Sequence, residues 1–262
     1  MAASALQKLL LIGDHAMEIE GPGIVVERVP HGEGDYLVTL LSPDGLRRGL
    51  AKGGASRRQG GIWEQGNIVA ARWVARLPEQ LGAYSGELVR PVAALAMQEP
   101  DSLAVLRAAC QLTAQALPER EAAPETFQGL LRLLAGIEIK GVALPALCRW
   151  ELVLLRELGF GLDFSSSAGG NDRLAYVSPR TGRAVTLSQA GDWASRLLPL
   201  PDFLLDESEP DLKDCVAALR LTGHFLARDL FGARHRPLPP AREALYEQLS
   251  LRLEEKERGD AG

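Results

Sequence analysis

The chain has 262 residues, 46% hydrophobic and 24% charged, with a formal net charge of −5. That balance excludes a disordered, collagen-like or rod-like coiled-coil chain, and at roughly 100–200 residues per domain it fits one large or two ordinary domains. Apolar runs such as Leu9–Ile12 and Leu152–Leu155 fall far short of the ~18 residues a membrane span needs, so no membrane partner is expected.

Met1–Ala16 reads as an extension. Its apolar run meets Asp14 and His15 too soon for a secretory signal, and Met17 opens the regular pattern, so Met1 and Met17 both stand as starts of the functional chain. From Glu18 to Arg90 the text reads as strands: Gly23–Arg28, Asp35–Leu41, Arg47–Ala51, Gly66–Arg76 and Leu81–Leu88, with the turn Ser42-Pro43-Asp44-Gly45 joining the second to the third. Five short strands in this span fit a five-stranded oligonucleotide-binding (OB) barrel over residues 17–92.

After Pro91 the periodicity becomes helical. Asp101 or Ser102 caps a run to Leu117; Pro124 opens a second run with Phe127, Leu130, Leu131, Leu134 and Ile137 on one face; Leu144–Leu158 is a third, ended by Gly159. Asp211–Leu230 and Pro240–Lys256 follow, and a charged tail occupies 251–262. Between the third and fourth helices, 159–200 reads as an insertion holding a small hairpin, Leu174–Val177 and Arg183–Leu187 about the turn Ser178–Gly182. The fold class is therefore α+β: a barrel, then a helical domain over 93–250 with a β-hairpin insertion.

Charge is uneven. Residues 1–90 carry ten Lys/Arg and ten Asp/Glu, whereas 91–262 carry 19 and 24. Arg47, Arg48, Lys52, Arg57 and Arg58 fall in a glycine-rich stretch with no acid between Asp44 and Glu64. Cations there pair with phosphates, and glycines allow close backbone approach. Trp63 and Trp73 flank the stretch, either as stacking surfaces for bases or as barrel core. Arg72 and Arg76, four apart on the fourth strand, either extend the basic face or belong to an ordinary solvent face. GxxxxGK[ST], GxSxG and HExxH are absent, and no His stands at metal-ligand spacing from another His or Cys. No nucleophile, base and orienter set emerges, so the chain is read as a non-enzyme. Three separated cysteines, Cys110, Cys148 and Cys215, signal neither a disulfide framework nor a zinc knuckle and fit a reducing cytoplasm.

Several segments together resemble the bacterial RecO family of recombination mediators. They are Gly23–Arg28 with His31–Asp35, the Lys52-Gly53-Gly54 segment, Arg149-Trp150-Glu151-Leu152 running to Leu162-Asp163, and Tyr176–Val185. The resemblance spans about Met17 to Leu249. It implies an OB barrel followed by a helical domain, with binding of single- and double-stranded DNA, annealing of complementary strands, and RecA loading onto DNA coated by single-strand-binding protein (SSB), together with RecR. The implied setting is DNA repair by homologous recombination in the nucleoid. By position, the DNA contacts fall on Arg47, Arg48, Lys52, Arg57 and Arg58, then Arg72 and Arg76. The family's groove for the acidic, apolar-ended SSB tail needs cations beside an apolar floor, for which Arg132, Lys140, Arg149 and Arg156 are candidates. Some relatives hold zinc through cysteines of the insertion; Ser165-Ser166-Ser167 and Ala184–Gly191 contain none, so no metal or cofactor is expected, and Leu174, Tyr176 and Val185 are expected to hold the hairpin by packing. Two other readings of the residues stay open: an RNA-binding barrel on a helical scaffold, and a protein-interaction scaffold with no nucleic-acid role.

Overall fold

The computed structural model describes residues 17–77, 80–165 and 172–260. The extension Met1–Ala16 and most of the Ser165–Asp172 loop lie outside the described residues.

Five strands close a barrel: β1 (Met17–His31), β2 (Asp35–Ser42), β3 (Gly45–Ala51), β4 (Ile68–Ala75) and β5 (Gly82–Arg90), in the order β1-β2-β3-β5-β4, with β3 and β5 parallel and the other pairs antiparallel. β1 begins six residues before the expected Gly23, because it serves two neighbours in succession. Met17–Ile24 pairs with β4, and Ile24–His31 pairs with β2. Gly21-Pro22-Gly23 sits where the strand changes partner, so the proline lies within the strand and does not end it. A bulge between Val25 and Glu27 adds a local kink there.

Ile24, Val25 and Val26 are all buried, although neighbours on a strand point to opposite faces. Val25 enters the barrel core with Val38, Leu40, Trp63, Val69 and Trp73, whereas Ile24 and Val26 join Leu41 and Leu46 in a second core shared with the helices. The barrel is thus covered on its outer side by the helical domain.

The helices are α1 (Val92–Ala96), α2 (Pro100–Ala116), α3 (Pro124–Ala135), α4 (Ala143–Glu157), the four-residue α5 (Leu187–Ala190), α6 (Leu212–Phe225) and α7 (Pro240–Asp260). α2 starts with Pro100 at its first turn and Glu99 in the cap position, so neither Asp101 nor Ser102 caps it. α4 ends as read, with Gly159 in the left-handed region at φ 87°. Asp211 caps α6 through reciprocal hydrogen bonds with Asp214. The expected continuation to Leu230 is not α-helical: Leu226–Phe231 widens into a π-turn. The charged tail is no separate segment, since α7 runs on to Asp260.

The insertion holds three strands where two were expected. β6 (Leu174–Val177) pairs with β7 (Ala184–Thr186) on one side and with β8 (Leu198–Pro199) on the other. Val177, Thr186 and Leu198 are its buried strand residues, while Leu174, Tyr176 and Val185 are half-exposed.

Two glycines fix the barrel against the helices. Gly45 adopts φ 95°, and a Cβ there would meet the Glu121 carbonyl oxygen at 2.0 Å. Gly66, at φ 93°, leaves room for Leu106 of α2, which a Cβ would meet at 2.5 Å. Hydrogen bonds cross at the same places: Arg120 N donates to Leu46 O (2.8 Å) and Ala93 N to Asn67 Oδ1 (3.0 Å). Asn67 is buried, and its amide nitrogen donates to Gly61 O at 2.7 Å. It ties the loop before β4 to the start of α1.

Candidate nucleic-acid interface

The segment between β3 and β4 is a chain of hydrogen-bonded turns folded against the β1–β2 hairpin. Gly53 N donates to Asp35 Oδ1 (2.7 Å), Ala55 N to Gly34 O (3.0 Å), and Gly60 N to Ser56 O (2.8 Å). Its glycines therefore serve a built loop; Gly53, at φ 63°, needs the freedom. Lys52, Arg57 and Arg58 are exposed on it and have no carboxylate within 4.0 Å among the described residues.

Two residues that sequence reasoning did not single out border this loop. Arg28 on β1 donates from Nη1 to Glu64 Oε1 (2.8 Å) and to Gly60 O (3.4 Å), and its guanidinium lies 4.6 Å from the Tyr36 ring centre. Tyr36 shares a strand face with Val38 and Leu40, so period-two alternation placed it at the barrel's mouth; nothing in the sequence pairs it with Arg28.

The other predicted cations are differently occupied. The Arg47 guanidinium lies 5.4 Å from the Trp73 ring centre, half-buried, with Nε shielded and unpartnered. Trp73 Nε1 donates to Arg48 O (2.9 Å) and the Tyr84 hydroxyl to Arg47 O (3.1 Å), so this part of β3 is clamped by two aromatic side chains. Burial pushes the Tyr84 hydroxyl pKa up. Arg48 is exposed, with Nε 3.9 Å from Glu119 Oε1.

Trp63 is 1% exposed and packs in the barrel core, so of its two readings the structure takes the core one and leaves it no face for a base. Arg72 is held by acids: Nε and Nη2 donate to the two Glu18 oxygens at 2.5 and 2.6 Å, and Nε lies 3.1 Å from Glu20 Oε1. These hydrogen bonds hold the Glu18 carboxyl below its usual pKa. Arg76 is exposed but lies past the end of β4 at Ala75, so it does not continue a strand face with Arg72.

The four helical-domain cations do not form one set. Arg132 is exposed on α3. Arg156 pairs with Glu125 at 2.6 Å. Arg149 donates to Phe203 O at 3.1 Å and lies over that ring, 5.2 Å from its centre. Lys140 lines a groove of about 230 Å³ with Leu144, Pro145, Leu212, Cys215 and Arg252, and with the acids Glu99, Asp101 and Asp211. Arg252 is itself paired to Asp101 at 2.9 Å.

Among the described residues no three His, Cys, Asp or Glu side chains are placed to hold a metal ion. All three cysteines are buried and free. Burial pushes the Cys110 thiol up to about 12. Among the described residues no helix is long and apolar enough to cross a membrane.

Comparison with known proteins matches both halves. The family described as Recombination protein O N terminal matches residues 17–92, and Recombination protein O C terminal matches 97–238. A DNA repair protein RecO from Acidiphilium cryptum is 59% identical over 244 residues, covering 90% of this chain and 97% of that protein. One from Granulibacter bethesdensis is 52% identical over 252 residues, covering 94% and 100%, and one from Gluconacetobacter diazotrophicus is 49% identical over 244 residues, covering 89% and 95%. With both halves matched in order and relatives aligned along nearly their whole lengths, the chain belongs to the RecO family of DNA repair proteins.

Proposed function

We propose that the chain binds DNA through the β3–β4 loop and acts as a recombination mediator, annealing complementary single strands. The observation that carries this reading is the built loop presenting Lys52, Arg57 and Arg58 to solvent without carboxylate partners among the described residues. Such cations neutralise phosphates and release counterions, a sequence-independent attraction that leaves Watson–Crick edges open for pairing.

The family resemblance extends the proposal to partners: RecR, the SSB tail, and loading of RecA on SSB-coated strands, in the bacterial cytoplasm at the nucleoid. For an acidic, apolar-ended tail the Lys140 groove offers Leu144, Pro145 and Leu212 as an apolar floor, with Lys140 as the cation for the tail, since Arg252 is taken by Asp101 and the acids Glu99 and Asp211 also line the groove.

The test is fluorescence anisotropy of a labelled single-stranded oligonucleotide across a salt series, wild type beside the triple Ala variant of Lys52, Arg57 and Arg58. At roughly −0.7 per phosphate contact, the three cations contribute about −2 to the log–log slope. A slope flattened by that amount supports the reading. An unchanged slope removes the loop as the site.

A further inference from the structure

A cleft of about 410 Å³ lies between the barrel and α2, within the size range of a ligand site at a domain interface. It begins at Arg28, whose guanidinium also touches the basic loop at Gly60 O, 3.4 Å away, so the cleft is continuous with the proposed DNA-binding loop. Its far wall is one stripe of α2. Arg107, Gln111 and Gln115 lie four residues apart, so about 6 Å separates each from the next along the helix.

The amides of that stripe are fixed in direction. Gln111 Oε1 accepts from Ala241 N (3.0 Å), and Gln115 Oε1 accepts from Arg236 Nη2 (3.1 Å). Each glutamine therefore keeps its NH₂ end, which has no protein partner among the described residues. Arg107 is exposed and has no carboxylate within 4.0 Å among the described residues. Of the two carboxylates in the lining, both on the barrel side, Glu64 is paired with Arg28 (2.8 Å), while Glu27 accepts from the Thr39 hydroxyl (3.2 Å) and keeps its charge. The α2 wall itself carries no carboxylate in the lining and presents a row of three donors at a regular spacing, comparable with the repeat of an extended sugar–phosphate backbone.

We propose that this cleft is a second nucleic-acid contact, in which Arg107, Gln111 and Gln115 hold the backbone of a single strand leaving the barrel loop beside Arg28. The proposal rests on the DNA-binding reading above and adds the path across the helical domain. It requires no closure, because Asn67, Gly45 and Gly66 already lock the two walls together.

The test compares wild type, Arg107→Ala, Arg107→Lys and Arg107→Glu with oligothymidylates of 6 and 20 nucleotides. Arg107→Ala should flatten the 20-mer salt slope by about 0.7 and weaken its binding about threefold, with the charge reversal weaker still. Arg107→Lys should keep the slope, and the 6-mer, which the loop alone accommodates, should be unaffected. Met97, 66% exposed on the cleft's edge, provides a direct probe. With the native cysteines buried, Met97→Cys takes a fluorophore selectively, and the dye should respond to the 20-mer and not to the 6-mer. Unchanged 20-mer affinity and slope in Arg107→Glu, with binding still lost in the loop variant, would overturn the cleft contact and leave the loop reading standing. Failure of wild type to bind either oligonucleotide would overturn both.

Discussion

Arg242 and Glu151 form a buried, two-pronged ion pair: Nε to Oε1 at 2.5 Å and Nη2 to Oε2 at 3.0 Å, with the side chains 1% and 0% exposed. The Thr222 hydroxyl donates to Glu151 Oε2 (2.5 Å), and Arg242 Nη2 also donates to Leu219 O (2.7 Å). Three helices, α4, α6 and α7, meet at this one network. Breaking such a pair by removing one partner leaves an unpaired buried charge, so Arg242→Ala should cost about 3–5 kcal/mol in urea unfolding. Replacing both partners by apolar residues, Glu151→Leu with Arg242→Met, should recover most of that loss. Equal destabilisation in the single and double variants would show that packing around the site, and not the orphaned charge, sets the cost.

Trp63 gives a clean separation of core from interface. Trp63→Ala should destabilise the fold by about 3–5 kcal/mol, the usual range for a large buried aromatic. Trp63→Phe should fold and bind oligonucleotides like wild type. A folded Trp63→Phe variant with several-fold weaker binding would mean that the indole contacts the strand.

Gly45 and Gly53 both adopt positive φ, but their surroundings differ. Gly53→Ala meets nothing within 4 Å and should lose only the backbone preference, about 1–2 kcal/mol. Gly45→Ala adds a methyl 2.0 Å from the Glu121 carbonyl oxygen and should lose clearly more, with barrel and helical domain no longer melting together. Thermal melts of the two variants side by side check this; equal losses would show that the Glu121 segment shifts aside freely.

The thiols should be silent in the native state. Burial pushes Cys110 up to about 12 and Cys148 well above the usual thiol value. At those two sites the reactive thiolate is therefore scarce at pH 8, and all three thiols are buried away from reagent. Titration with a thiol reagent should label none of Cys110, Cys148 and Cys215 until denaturant is added, and then all three. Fast labelling of one in native buffer would reveal local opening around it.

Arg72 should matter less to DNA affinity than Lys52, despite sitting on the same barrel. Its guanidinium is already shared between Glu18 and Glu20. Anisotropy in the two single Ala variants should show a flatter salt slope for Lys52→Ala and a nearly unchanged one for Arg72→Ala. The reverse order would mean that the strand displaces the two glutamates.

The order of five strands and then helices was legible from the sequence because periods of two and 3.6 residues are local properties of the chain. So was the loop's charge, since Lys52, Arg57 and Arg58 stand together without an acid between them. The strand start at Met17 was not legible, because its reason is a second partner, β4, some fifty residues away. Nor was the difference among the arginines: Arg57, Arg72 and Arg242 are the same residue in the text, yet one faces solvent, one is held by two glutamates and one is sealed in the core. Which carboxylate faces which guanidinium is fixed only when distant elements pack, as β1 does against β4 and α7 against α4. The stripe Arg107, Gln111 and Gln115 shows the same division. Its four-residue spacing is written in the sequence, but it borders a cleft only because the barrel closes over α2.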